Sequence, residues 1–116
     1  LNAKFIYFCV LTLLSLGCTT GTSNGSSEGS ITIPEQVQNA LDTHACNACH
    51  QANKDGVGPS YKRIAQIKYR SPEEILRLIR QPKPDRWPDF RPMMPVNMNQ
   101  KDGETIADWL YEESRK

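Results

Sequence analysis

Residues 31–116 predict an all-helical domain, and three observations carry that prediction. Apolar residues recur at spacings of three and four rather than two. The segments bearing them are punctuated by Ser, Asn, Gly and Pro at positions that start or stop helices. Alternating β-branched runs that could compete as strands are few.

The first helix follows "TIPE", where Thr32 stands three residues before Glu35 as a capping box and Pro34 falls in the first turn, where its missing donor costs little. It carries Val37, Ala40 and Leu41 inward and runs up to the cysteines. A second short helix is expected over Tyr61–Ile67, with Tyr61, Ile64 and Ile67 on one face. "SPEEILRLIRQP" is the clearest of the set. Ser71 caps, Pro72 takes the first helical position, Glu73 and Glu74 favour the positive end, and Pro82 enforces a stop. Its apolar stripe is Ile75, Leu78 and Ile79. The last helix begins near Asn99 and reaches Glu113, burying Ile106, Trp109 and Leu110, with Gly103 as an unfavourable residue in its first turn. A domain of about 86 residues has a marginal core, so a crosslink, metal or cofactor is expected to add stability.

Upstream, Lys4 is followed by "FIYFCVLTLLSLGC", an apolar run of signal-peptide length and short of the roughly 20 residues a spanning helix needs. Gly17 before Cys18 resembles a bacterial lipoprotein signal, in which the cysteine is lipidated and becomes the first mature residue; Ser15 stands where such signals usually have leucine. "TTGTSNGSSEGS" then reads as a flexible tether, because it has too little apolar surface to offset the entropy of ordering. The expected organisation is a signal peptide at 1–17, a tether at 18–30 with a lipid anchor on Cys18, and a folded domain at 31–116, on the periplasmic side of a bacterial membrane.

The chain has 14 basic and 13 acidic residues, and Lys4 is the one basic residue ahead of Cys18, so the expected mature chain is balanced. Residues 62–91 carry nine basic and four acidic side chains, whereas residues 101–116 carry three and five. That dipolar pattern argues against a polyanion partner, and no nucleic-acid binding is expected.

"THACNACHQANKDGVGP" carries the chemistry. Cys46, Cys49 and His50 form C-x-x-C-H, which in an exported chain reads as covalent attachment of one c-type haem. The two thiols bond the porphyrin vinyls and the adjacent histidine supplies an imidazole nitrogen to the iron. Other uses of paired cysteines make further demands. A thioredoxin-like pair needs a helix N-terminus beside a sheet, for which strands are lacking. A zinc site would have to draw on His44, Cys46, Cys49 and His50 within seven residues. A disulfide across two intervening residues closes too small a loop to stabilise much.

A haem iron needs a sixth ligand or a reason for lacking one. "QPKPDRWPDFRPMMPVNMN" has five prolines in nineteen residues, making a stiff irregular loop, and holds all three methionines: Met93, Met94 and Met98. A thioether from this loop could close the iron and raise its potential relative to two histidines. Methionines also serve as adaptable packing, and at least two of the three have that role.

With "CNACH", "GPSYKRIA", "RWPDFRPMMPVN" and "TIADWL", the chain from about Pro34 to Glu113 resembles the small class I cytochromes c of bacterial electron-transfer chains. The resemblance implies the class I cytochrome c fold, four or so short helices around one covalent haem c. It implies Met94 of "MPVN" as distal ligand, with Met93 as the alternative. It also implies that the Pro59 carbonyl accepts the proton of the other His50 nitrogen, that Trp87 reaches a haem propionate, that Arg77 lies near the propionates and that Asn97 holds the distal loop. Tyr61 and Trp109 are expected as packing residues. The long "PKPDRWPDFRP" approach departs from the family pattern and would reshape the exposed haem edge.

The function so implied is single-electron transfer between periplasmic or membrane-associated redox proteins, without enzymatic turnover. Two alternatives remain open. The domain could be a haem subunit fixed in a respiratory or photosynthetic complex, or a haem peroxidase or small-gas sensor whose distal ligand is displaceable, for which Arg91 is the nearest candidate side chain.

Overall fold

A computed structural model describes residues 29–116. The leader at 1–17, Cys18 and all but the last two residues of the tether lie outside the described residues. Four helices follow in order: α1 Glu35–Thr43, α2 Tyr61–Ala65, α3 Pro72–Arg80 and α4 Gln100–Glu113. Short 3-10 turns occupy Cys46–Ala48 and Pro84–Arg86, and no strand occurs among the described residues. None of these helices is long and apolar enough to cross a membrane.

Each helix end shows how its orphan amides are satisfied. The N-cap of α1 is Pro34, in an extended conformation and without a side-chain cap bond, so the Thr32–Glu35 box does not form the start. With Pro34 itself at the N-cap, no side chain caps the first turn, and the Pro34 carbonyl accepts from the Gln38 amide as the first bond of the helix. In α2 the Ser60 hydroxyl accepts from the Arg63 amide at 3.1 Å, while the carbonyls of Gln51 and Ala52 take the Tyr61 and Lys62 amides, each at 2.9 Å. This stitches α2 to the segment just after His50. α2 stops at Ala65, short of Ile67. α3 starts at Pro72, although Ser71 makes no side-chain cap bond to it. At α4 the Asn99 side chain accepts from the Asp102 amide at 2.9 Å, a cap that fixes where the proline-rich loop ends.

α4 packs against α1, α2 and α3, and a single core runs between them: Val37, Leu41, Tyr61, Ile75, Leu76, Ile106, Trp109 and Leu110 are among its buried residues. α3 uses two apolar faces. Ile75, which is buried, and the half-buried Leu78 and Ile79 line a cavity, whereas Leu76 is buried off that stripe. Leu76, absent from the expected stripe, is what α3 presses onto α4.

Gly103 is the contact point. A Cβ there would lie 2.6 Å from Leu76 Cδ1 and 3.4 Å from Met98 Sδ, so the glycine that weakens the helix locally is what lets α3 approach. Alanine at this position would gain about 1 kcal/mol of helix propensity, but overpacking beside a buried leucine costs about 1–3 kcal/mol. We expect Gly103→Ala to lower the urea midpoint, with a net loss of about 1 kcal/mol; an unchanged or raised midpoint would show that Leu76 yields freely.

Candidate functional site

The chain leaves α1 through His44 and reverses at Ala45, whose φ of 55° lies in the left-handed region that costs a non-glycine residue about 1–2 kcal/mol. Two side chains, His44 and Asn47, over-determine that turn. His44 Nε2 lies 2.9 Å from Asp102 Oδ2, tying the turn to the first turn of α4, and the hydrogen bond from His44 holds the Asp102 carboxyl below the usual range, with Asn99 adding to it. Asn47 donates to Asp42 at 2.6 Å and accepts from the Tyr61 hydroxyl at 3.0 Å. The cysteine turn is thus braced against α1, α2 and α4.

Cys46, Cys49 and His50 lie together on the wall of a cavity of about 450 Å³. Both cysteines are free thiols. Burial pushes the Cys46 thiol up, opposite to the lowered value that a redox-active dithiol needs. His44 is engaged with Asp102, and among the described residues no group of three or more His, Cys, Asp or Glu side chains converges as a metal cluster, so the four-ligand zinc arrangement does not form.

His50 is held from several sides. Its Nδ1 lies 2.6 Å from the Pro59 carbonyl oxygen, and because a carbonyl only accepts, Nδ1 carries a proton, which in the neutral imidazole leaves the lone pair on Nε2. Nε2 makes no hydrogen bond among the described residues, leaving it available as a ligand. Gly58 packs against the ring, where a Cβ would fall 2.8 Å from Cε1, and the Tyr61 ring sits 5.6 Å away, centroid to centroid. The Gly58 amide donates to the Cys49 carbonyl at 2.9 Å, so the loop that supplies the acceptor is bonded to the cysteine turn itself.

Much of the remaining lining comes from α3 and the proline-rich loop, with Val57 of the segment after His50 and residues of α1, α2 and α4 completing it. Leu78, Ile79, Val57 and Phe90 supply apolar wall, and Trp87, Met93 and Met94 line the same space. Met94 is 77% exposed and Met93 38%, whereas Met98 is 5% exposed and packed into the core beside Gly103, away from the cavity. This separates the three methionines: one is core, and two thioethers remain at the site. The loop is tied to α3 by the Val96 amide donating to the Ile79 carbonyl at 3.2 Å.

Two expected positions fall elsewhere. Arg77 is exposed on α3 and does not line the cavity, because the helix turns Leu78 and Ile79 toward it instead. Asn97 is exposed, lies off the cavity wall and makes no hydrogen bond among the described residues; the bond at Val96 and the Asn99 cap hold the loop. Trp87 does stand on the wall, with its ring 6.2 Å from Phe90 in edge contact and 5.7 Å below the Arg63 guanidinium.

This donor set fits a covalently attached haem. Two thiols and an imidazole with a free Nε2 share one edge of a largely apolar cavity, and a thioether lines it as well. Trp109 Nε1 is the one buried side-chain polar atom without a partner among the described residues, and it belongs to the core rather than the cavity wall.

A family model described as Cytochrome c matches residues 35–112, well over half of the chain. No curated protein and no solved structure gives a significant match.

Proposed function

We propose, from the premise that the chain belongs to the cytochrome c family, that it is a single-haem carrier of electrons with His50 and Met94 as its axial ligands. The family binds haem c covalently, and Cys46, Cys49 and His50 supply its C-x-x-C-H motif. The haem, when bound, supplies a one-electron ferric–ferrous couple. The observation that carries the reading is the His50 imidazole, its Nδ1 proton fixed on the Pro59 carbonyl and its Nε2 free beside two unpaired thiols, in a cavity that also holds the Met94 thioether.

The chain's own residues then have separable roles. Pro59 fixes the tautomer of His50 and raises its basicity. Leu78, Ile79 and Phe90 line the cavity with apolar side chains, which would keep the polarity around the cofactor low. Trp87, on the cavity wall, would hold a propionate. Lys83, Arg86 and Arg91 bring positive charge to the cavity lining and would steer an acidic redox protein into a small, transient contact. Lipidation of Cys18 with a periplasmic location completes the reading, the tether letting the domain reach its partners from a membrane surface.

A second reading, a peroxidase or gas-binding protein, draws support from Arg91, which also lines the cavity. Optical spectra of the purified holoprotein in both redox states separate the two. A carrier closed by methionine gives the weak long-wavelength band of sulfur-to-ferric-iron ligation, and its ferrous spectrum is unchanged by carbon monoxide. Absence of the band with ready carbon monoxide binding would overturn the carrier reading.

A further inference from the structure

The peptide bond between Pro59 and Ser60 is held at both ends. Its carbonyl accepts from His50 Nδ1 at 2.6 Å, and its amide donates to Asp55 Oδ1 at 2.8 Å. The other oxygen of that carboxylate, Oδ2, accepts from Arg63 Nη1 at 2.7 Å. Arg63 lies in turn over the Trp87 and Phe90 rings, at 5.7 and 5.1 Å from their centroids, and its own amide donates to Ser60 Oγ. The peptide is interior, for Gly58, Pro59 and Ser60 are all buried, so solvent does not compete for either of its polar groups.

We propose that Asp55 is a positioning residue for the proximal ligand: its carboxylate polarises the Pro59–Ser60 peptide, strengthens the carbonyl that binds His50 Nδ1, and is moderated by Arg63. This rests on the reading of His50 as the haem ligand and deepens it. The physical basis is that an amide donating to an anion becomes a better acceptor at its carbonyl, since linked hydrogen bonds polarise one another. A stronger acceptor draws the Nδ1 proton further from the ring, raises the basicity of Nε2 and favours the ferric state.

The ordinary reason for an Asp–Arg pair is stability, and it is weak here. Both side chains are more than a third exposed, at 38% and 43%, and exposed pairs contribute little. The hydrogen bond from the Ser60 amide comes first, with that from Arg63 after it, in holding the Asp55 carboxyl below its usual range, so the anion is engaged with the peptide as well as with the cation.

The test uses the reduced, nitrogen-labelled holoprotein and the variants Asp55→Asn, Arg63→Gln and Arg63→Lys. Asparagine keeps an acceptor in place but removes its charge. We expect Asp55→Asn to move the His50 Nδ1–H and Ser60 amide proton resonances upfield, to speed exchange of the Nδ1 proton by about fivefold, as a charge-assisted bond becomes neutral, and to raise the reduction potential. Arg63→Gln leaves the carboxylate uncompensated and should shift both resonances downfield and lower the potential, with Arg63→Lys restoring values close to the unmodified protein. Resonances that stay fixed while the potentials move would overturn the proposal in favour of charge acting through space. Shifts of the same sign in Asp55→Asn and Arg63→Gln would overturn it in favour of a loosened loop. Opposite resonance shifts with no change in potential would overturn the proposal, the relay then ending at the imidazole, whereas His50 ring protons without the upfield ring-current shift of an axial ligand would overturn the reading of His50 as the ligand.

Discussion

Met94→Ala is expected to abolish the sulfur-to-ferric-iron band, lower the reduction potential and open the ferrous protein to carbon monoxide, with little change in folding of the polypeptide. The reasoning turns on what each methionine does in the structure. Met94 is 77% exposed at the cavity and contributes little packing, so its removal as an ordinary surface side chain would change stability by no more than about 0.5 kcal/mol. Any large effect must then come from the thioether sulfur. Met98 offers the opposite control: it is 5% exposed against Gly103, and Met98→Ala should cost about 2–5 kcal/mol of stability while keeping the band. Met93 shares the cavity, and Met93→Ala should keep the band as well. Should Met93→Ala abolish it and Met94→Ala leave it, the ligand is Met93. If both single variants keep it, the sulfur comes from Met98 or from whichever of the adjacent pair is left, and the assignment to Met94 alone is lost while methionine closure stands.

How far the sequence was legible depended on the range of the interaction concerned. α3 was read almost to the residue because its signals are local: Pro72 sets φ at the first position, Glu73 and Glu74 sit at the positive end, and Pro82 lies beyond the last turn. The C-x-x-C-H motif is likewise self-contained. What escaped depends on elements meeting across the fold. Leu76 looked peripheral to the stripe of Ile75, Leu78 and Ile79, yet it is buried because Gly103, far along the chain, leaves room for it. The stripe of Ile75, Leu78 and Ile79 lines the cavity together, and Arg77 stays outside it. The resemblance implies Asn97 as the residue that holds the distal loop, but the side-chain bond observed there is made by Asn99, which stands directly before a helix and caps it. A capping rule applied at that boundary would have found Asn99. No local rule would have found the bond between Asp55 and the Ser60 amide, because it needs the loop to close first. The pairing of His44 with Asp102 spans 58 residues and was equally out of reach.

The second large effect is expected at Gly58. Its backbone has no need of glycine's left-handed freedom, since Gly29 is the one positive-φ glycine among the described residues. Space alone requires it. A Cβ at residue 58 would lie 2.8 Å from His50 Cε1, 3.0 Å from Nδ1 and 3.4 Å from Nε2, against the whole near edge of the imidazole. The ring cannot swing aside cheaply, because Nδ1 is bonded to Pro59 at 2.6 Å and the Tyr61 ring packs nearby. Nor can residue 58 retreat easily while its amide is bonded to the Cys49 carbonyl. Gly58→Ala therefore has to displace the imidazole, and overpacking of this kind costs about 1–3 kcal/mol before any loss at the Pro59 bond is added. We expect a protein that still carries haem through Cys46 and Cys49 but shows a lowered denaturation midpoint and weakened His50 ligation, seen as high-spin character in the optical and paramagnetic NMR spectra. A destabilised variant with an unaltered spin state would place the strain in the loop, while unchanged stability and spectra would mean that the ring has more room than the 2.8 Å approach allows.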